Sequence, residues 1–392
     1  MQLARAAFRT LADAGYTEAA VARWFGVPLV TDARYVPAPV ERVRRAVGGF
    51  IALWVAGEAL PRGALGLVDA GAWEAWRALG LVTIDGDTVR ANVTVLPARG
   101  LLLVSDAARA PDLSAYNLAA ALPRLPGARA FDVGCGAGIV TLAAAAAGGD
   151  AVGGDIDREV LAFARLNAAL NGSSARFVES DLFEAAEGRY DLVTFNAPLL
   201  RAPLATSGEE PSRYATTPEG DRLALRFLDG LPAHLTDRGE ALLHAQLTPR
   251  LDAALDALAG DHAVGSAVFA RATDGTPHAL TRIGAGRGRR TIEVPLGPLC
   301  PHLSSEIVGA LTAARTLDPD ATPVPAPWLE LRLSRQLGGR FRSTRFGVHP
   351  VDDAEVALLE RLGTTPVSLL GLDADDAARL ERFVALGLVI LR

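Results

Sequence analysis

Residues 131–138 read Phe131-Asp132-Val133-Gly134-Cys135-Gly136-Ala137-Gly138, three glycines spaced two apart behind an acidic residue. A mostly apolar run, Ala128 to Val133, leads into them, and a small-residue helix, Ile139 to Ala147, follows at once. Strand, tight glycine turn and helix in that order form the first unit of a nucleotide-type site in a doubly wound sheet. The spacing is G-x-G-x-G, not the G-x-G-x-x-G that brings a helix N-terminus onto a pyrophosphate. Asp132 also sits just ahead of the turn, where its charge would repel phosphate and attract an ammonium group. The turn therefore suits a ligand that joins an adenosine to an amino-acid tail and carries no phosphate. A glycine-rich turn in an ordinary α/β domain reads the same way when it stands alone, so the neighbouring segments decide.

Ala151-Val152-Gly153-Gly154-Asp155 is a second short strand ending in an acid. Asp155 falls about 20 residues past the loop, where a carboxylate accepts bonds from ribose hydroxyls. Asp157 is the better helix cap, since a helix from Arg158 to Leu170 begins there and Asn171-Gly172 ends it. A third strand, Ala175 to Val178, leads into Ser180-Asp181-Leu182-Phe183, placing Asp181 toward an adenine amine and Leu182 near the ring. A fourth, Tyr190 to Phe195, runs into Asn196-Ala197-Pro198-Leu199. Open α/β sheets bind ligands at the carboxyl ends of their strands, and these motifs fall there in order. The ligand that fits them is S-adenosylmethionine.

The stretch from about residue 110 to 270 resembles the class I S-adenosylmethionine-dependent methyltransferases. It is nearest the nitrogen-methylating branch that includes release-factor glutamine and ribosomal RNA guanine-N2 methyltransferases. The residues that carry the likeness are the Asp132–Gly138 loop, Asp155, the helix from Leu161 to Gly172, Asp181-Leu182-Phe183 and Asn196-Ala197-Pro198-Leu199. The resemblance implies an α/β fold: a Rossmann-like, seven-stranded core with winged-helix-like α/β accessory domains at both ends. It implies that Asp132, Gly134, Cys135, Gly136 and Gly138 hold the methionine tail, Asp155 the ribose, and Asp181 with Leu182 the adenine, with Ile156 also among the cofactor-binding residues. Asn196 would border the cofactor and, with the backbone at Ala197 and Pro198, hold the nucleophilic nitrogen. The family pattern at that motif is Asn-Pro-Pro-Tyr or a near relative. Here Ala197 replaces a proline and Leu199 replaces the aromatic that stacks on a planar acceptor. That departure moves the expected acceptor from a flat base or glutamine amide toward a small molecule or peptide, with protein or ribosomal RNA behind. Tyr214 is placed to restore an aromatic face beside Leu199. The rival reading is a non-catalytic S-adenosylmethionine- or RNA-binding adaptor whose acceptor motif has decayed.

Composition narrows the chemistry. Half of the 392 residues are hydrophobic and 21% are charged, enough for a large core and against global disorder. The length predicts two or three domains. All 39 basic residues are arginine, so no lysine nucleophile or Schiff base is available. The six histidines are scattered without metal-ligand spacing, and no metal is expected. His244, late in a fifth strand from Gly239 to Gln246, reads as a packed residue. Cys135 reads as chosen for size. Two cysteines, Cys135 and Cys300, and an N-terminus without a signal-like core suggest the cytoplasm. The longest apolar runs fall short of a membrane span, so no membrane partner is expected. A net charge of −6 does not favour a nucleic-acid partner.

Three domains are expected: a helical, winged-helix-like accessory domain over 1–105, the methyltransferase domain over 106–284 and a C-terminal accessory domain over 285–392. In the first, helical periodicity breaks at Gly15-Tyr16-Thr17, and Asp85-Gly86 between β-rich runs predicts a hairpin over Val82 to Asn92. A single strand is expected over 93–104, and a helix from Arg109 to Leu122. Thr206 to Ser212 reads as a lid over the acceptor, Gly284 to Arg290 as a linker and Asp318 to Pro327 as a loop. The arginines from Arg332 to Arg345 read as a solvated surface.

Overall fold

The computed structural model describes residues 2–25, 30, 46–106, 110–123, 125–198, 220–271, 276–294, 303–314, 323–325, 329–330, 341–344, 347–350, 352–364, 367, 372–385 and 389–391. The chain divides into two compact units: Met1–Asn196 with Gly230–Thr236, and Ala197–Asp229 with Asp237–Arg392. No helix among the described residues is long and apolar enough to cross a membrane.

The first unit opens with helices Gln2–Asp13 and Glu18–Phe25, separated at Gly15, whose φ of 76° ends the first. Helices Ala46–Trp54 and Ala70–Ala78 follow, the second capped by Asp69, which accepts from the Ala72 amide. They pack through an aromatic cluster in which Phe50, Trp54 and Trp73 all meet Trp76 edge to face. The expected hairpin forms: Val82–Asp85 pairs with Thr88–Ala91, and Leu60–Pro61 adds a third antiparallel strand. Residues 93–104, expected as one strand, are instead a second hairpin, Thr94–Ala98 against Leu101–Ser105. The turn is Arg99-Gly100, with φ of 54° and 76°. Two positive φ values are what a two-residue turn matching strand twist requires. Arginine in the place of the usual asparagine hid the signal.

The rest of the first unit is the glycine-turn domain. Helix α1 (Leu113–Ala120) is capped by Asp112, which accepts from the Ala115 amide. There follow β1 (Arg129–Val133), α2 (Ile139–Ala146), β2 (Asp150–Asp155), α3 (Arg158–Asn171), β3 (Arg176–Glu179) and β4 (Tyr190–Asn196). The four strands are parallel and lie in the order β4-β1-β2-β3. Phe131, Val133, Val152, Leu192 and Val193 are buried, as befits strands covered on both faces. Asp157 caps α3 and Gly172, at φ 63°, ends it. Strand order alone brings the carboxyl ends of β1, β2, β3 and β4 side by side.

The second unit contains α4 (Arg222–His234, whose last turn belongs to the first unit), most of β5 (Leu235–Gln246), α5 (Pro249–Leu258), β6 (Ala263–Arg271), β7 (Pro277–Gly284) and β8 (Gly288–Glu293). β7 pairs antiparallel with β5 and β6, and β8 pairs parallel with β6. β8 is one strand more than the seven expected, and it occupies part of the segment read as a linker. Its Arg289 is anchored on α5 by Asp252 and Asp256, with 2.6 Å to the latter, so a run that looks solvated by composition is held as an edge strand. Beyond it, Asp353–Thr364 and Ala374–Ala385 bury Leu358, Leu359, Leu380 and Phe383 in a core of their own. Within the stretch expected as a loop, Pro323–Pro325 pairs with Val389–Leu391 in a two-stranded ribbon, an edge position that proline tolerates. Thr206 to Ser212, Arg332, Arg335, Arg340 and Arg345 lie outside the described residues.

Candidate active site

The turn after β1 owes its shape to its glycines. Gly134, Gly136 and Gly138 all have left-handed φ values, 61°, 55° and 93°. A side chain there costs on the order of 1 kcal/mol or more per position. Gly138 also caps α2 and leaves no room, since an added Cβ would lie 3.0 Å from the Phe177 ring. Gly136 is different: nothing lies within 4 Å of where its Cβ would be. It forms the open side of the turn, a cradle that a ligand can approach at backbone distance.

The turn is pinned from beneath. The Cys135 amide donates to the Gly154 carbonyl at 3.0 Å. β2 passes so close that a Cβ on Gly153 would sit 2.6 Å from Thr141 Oγ1 and 2.8 Å from Cys135 Cβ. Cys135 is buried, and that burial pushes its thiol pKa well up. This is a space-filling thiol.

Asp132 lies at the end of β1, 5% exposed. Its Oδ2 accepts from the Thr141 amide (3.1 Å) and hydroxyl (2.7 Å), and its Oδ1 from the Thr194 hydroxyl (2.7 Å). Burial pushes its pKa up to about 6, against the downward pull of those hydrogen bonds. Asp155 ends β2, half-buried. Its Oδ2 accepts from the Gly136 amide at 2.9 Å and its Oδ1 from the Asp157 amide at 2.9 Å. Burial raises its pKa too, with the two amides opposing. The carboxylate thus touches the turn at its open glycine. Ile156, next in the chain, is 61% exposed, unusual for a residue of its size.

After β3, Leu182 adopts φ 53°, a left-handed backbone that a branched side chain rarely takes. Ser180 holds it there, donating to the Leu182 carbonyl at 2.9 Å and accepting from the Ala185 amide at 3.0 Å. Asp181, between them, is half-buried. Asn196 is the last residue of β4 and Ala197 is buried, its amide donating to the His244 carbonyl at 3.0 Å. Pro198 is half-buried. Leu199 and Tyr214 lie outside the described residues. His244 is 1% exposed and stacks on Phe269 at 5.4 Å, a packed histidine.

Strand order therefore gathers Asp132, Asp155, Asp181 and Asn196 at neighbouring carboxyl ends. Reading the sequence missed their supports: Thr141, Thr194, Gly153 and Ser180. Thr141 and Thr194 did carry a signal, since each is the lone polar residue in an apolar run, Ile139-Val140-Thr141-Leu142 and Leu192-Val193-Thr194-Phe195.

Part of the chain is similar to known methyltransferases. The methyltransferase small domain family model matches residues 107–209. A Methanocaldococcus jannaschii protein described provisionally as a protein N5-glutamine methyltransferase is 32% identical over 30% of this chain and 62% of its own length. The ribosomal protein L11 methyltransferase of Thermus thermophilus is 38% identical over 26% of this chain and 40% of its own. The release factor glutamine methyltransferase of Agrobacterium fabrum is 35% identical over 22% of this chain and 32% of its own. Among solved structures, the ribosomal protein L11 methylase of Lactobacillus delbrueckii subsp. bulgaricus overlaps 44% of this chain and 78% of that one, at 22% identity and a TM-score of 0.32. The central segment is thus similar to class I, S-adenosylmethionine-dependent methyltransferases of the nitrogen-methylating branch. The chain spans less than two thirds of the length of the curated relatives it matches, from 62% down to 24% among the first three.

Proposed function

We propose that this chain transfers a methyl group from S-adenosylmethionine to a nitrogen of a small molecule or peptide. The observation that carries the reading is the row of four neighbouring strand ends, each with one polar residue at or just past it, with Asp155 bonded to the open glycine of a three-glycine turn. In this reading the turn and Asp132 hold the methionine tail, Asp155 and Ile156 the ribose, and Asp181 and Leu182 the adenine. The bound cofactor supplies a methyl group on a sulfonium, ready for direct displacement. The chain's own contribution is alignment, which in the best-positioned reactions lowers a barrier by roughly 7–11 kcal/mol. Asn196 accepts an N–H bond from the acceptor through its side-chain oxygen, and the Ala197 or Pro198 carbonyl accepts another. Together they favour a tetrahedral nitrogen and fix its direction of attack. The Ala197 N–H donates to the His244 carbonyl and so steadies the Asn196–Ala197 peptide just ahead of those carbonyls. No strong base is needed, since the proton can leave after transfer.

The smaller acceptor is favoured by Leu199, which offers no aromatic face for a base. The relatives' names specify glutamine and ribosomal-protein acceptors for those proteins. Calorimetry tests the cofactor half: S-adenosylmethionine should bind the wild type, and Asp155→Ala should weaken it at least tenfold, about 1.4 kcal/mol. Absence of binding to the wild type would overturn the reading. Asn196→Ala should leave binding within a few-fold and abolish turnover. If turnover persisted, the nitrogen would be held elsewhere.

A further inference from the structure

Two asparagines one turn apart on α3 do the work of a neighbouring strand. Asn167 is 0% exposed. Its Oδ1 accepts from the Val104 amide at 2.7 Å, and its Nδ2 donates to the Val104 carbonyl at 2.9 Å and to the Ala137 carbonyl at 2.9 Å. Asn171 treats Leu102 the same way, accepting at 2.9 Å and donating at 2.8 Å. Its remaining N–H goes to its own helix, at the Asn167 carbonyl. The two amides thus dock one edge of the hairpin strand Leu101–Ser105, but only Asn167 reaches the glycine turn.

The hairpin it joins is fixed at several other points. The Gly100 amide donates to Glu18 at 3.0 Å, and Tyr116 donates to the other oxygen of Glu18 at 2.9 Å. Tyr16 donates to the Val95 carbonyl at 2.6 Å. Asn167 therefore ties Ala137 to a strand that is itself held from the N-terminal helices.

Ala137 stands between two glycines of left-handed φ. The peptide joining it to Gly138 is held at both ends: its carbonyl by Asn167, and its N–H by the Cys135 carbonyl at 2.9 Å. A peptide next to glycine rotates with little steric resistance, so these two bonds set its orientation. Both N–H groups of Asn167 are used, one of them on the Ala137 carbonyl.

We propose that Asn167 is a positioning residue for the cofactor, fixing the Ala137–Gly138 peptide and coupling the turn's shape to the Leu101–Ser105 hairpin. The inference rests on the reading of this turn as the S-adenosylmethionine site. Ordering a loop before binding raises affinity by removing an ordering cost. A merely structural asparagine would affect folding alone.

The two asparagines supply their own control. Asn167→Asp keeps the acceptor for Val104 and replaces both donors by a carboxylate oxygen. Asn171→Asp does the same to the hairpin without touching the turn. Both should lower thermal stability. Only Asn167→Asp should weaken S-adenosylmethionine binding, about tenfold, raising its KM and leaving the acceptor KM unchanged. If the buried charge prevents folding, Asn167→Leu and Asn171→Leu give the same contrast. Equal loss of affinity in the two variants, or none in either, would overturn the proposal. Hydrogen exchange of the Gly134–Gly138 segment without ligand separates this from failure of the cofactor reading. Exchange should quicken in the Asn167 variants and stay at the wild-type rate in the Asn171 variants, and an equal rate in both sinks the positioning role even if no cofactor binds.

Discussion

Asp132 answers two opposed demands. Its charge would attract the ammonium of a methionine tail, while its burial penalises that same charge. Moving its pKa from 3.8 to about 6 corresponds to roughly 3 kcal/mol at 1.36 kcal/mol per unit. The sign follows from the direction. A carboxyl with a raised folded-state pKa binds more protons when folded, so stability is lost as pH rises from about 4 to about 6 and stays lost above. Asp132→Asn keeps the shape and can still bond Thr141 and Thr194 without the charge. It should be more stable than the wild type at pH 8, by on the order of 1–3 kcal/mol, with the gain fading toward pH 4. Urea unfolding across that range measures it, and a gain independent of pH would refute the assignment. S-adenosylmethionine affinity should move the other way, weaker in Asp132→Asn and, in the wild type, rising with pH through about 6. Gly153 makes the steric counterpart. Its Cβ has no room beside Thr141 and Cys135, so Gly153→Ala should cost about 1–3 kcal/mol by overpacking and weaken cofactor binding by displacing the turn. Wild-type affinity in that variant would show that the turn tolerates the shift.

The elements legible in the sequence are those whose signals are local. Asp157 and Gly172 bracket α3 because a cap and a left-handed glycine are chemical properties of single residues. The three-glycine turn was legible for the same reason. What escaped depends on neighbours distant in the chain. Nothing near Gly153 announces that Cys135 and Thr141 will lie against it. Arg289 looks like linker composition until Asp252 and Asp256 of α5 hold it. The second hairpin was missed because Arg99 occupies a backbone conformation usually given to asparagine or glycine. Leu182 after β3 is a similar case, held left-handed by Ser180. Removing that hydroxyl leaves the half-buried Ala185 amide and a strained turn unsupported, so Ser180→Ala should cost on the order of 1–3 kcal/mol. Gly at position 182 relieves strain of roughly 1–2 kcal/mol, so adding Leu182→Gly to Ser180→Ala should recover much of the stability. Thermal denaturation of the two single variants and the double variant measures the coupling. Strictly additive losses would mean Ser180 does not support the turn. The double variant should still bind cofactor poorly, because the Leu182 side chain is gone.

For the whole molecule the open variable is the acceptor. On the proposed reading the cofactor site is more legible in the sequence than the acceptor site, because its candidate residues recur from strand to strand, whereas the candidate acceptor residues are confined to Asn196 to Pro198 and segments beyond them. Two global properties bear on it. The net charge of −6 disfavours a phosphate-rich partner, since RNA binding rests mainly on paired phosphates and falls steeply with salt. Leu199 removes the planar stacking face that a guanine or glutamine amide would use. On the proposed reading both favour a compact acceptor whose nitrogen would be placed by Asn196 and nearby carbonyls. The expected outcome, with labelled S-adenosylmethionine and extract from the source cells, is label in the dialysable fraction. That label should be absent with Asn196→Ala and unchanged by prior nuclease treatment. Label retained in ribosomal RNA, with transfer that collapses as salt is raised, would instead establish a nucleic-acid acceptor. Label in a non-dialysable protein band that survives nuclease would establish a protein acceptor. In either case Leu199 would have been a substitution within a conventional acceptor site, and the discriminating contacts would have to be sought outside the Asn196-Ala197-Pro198 motif.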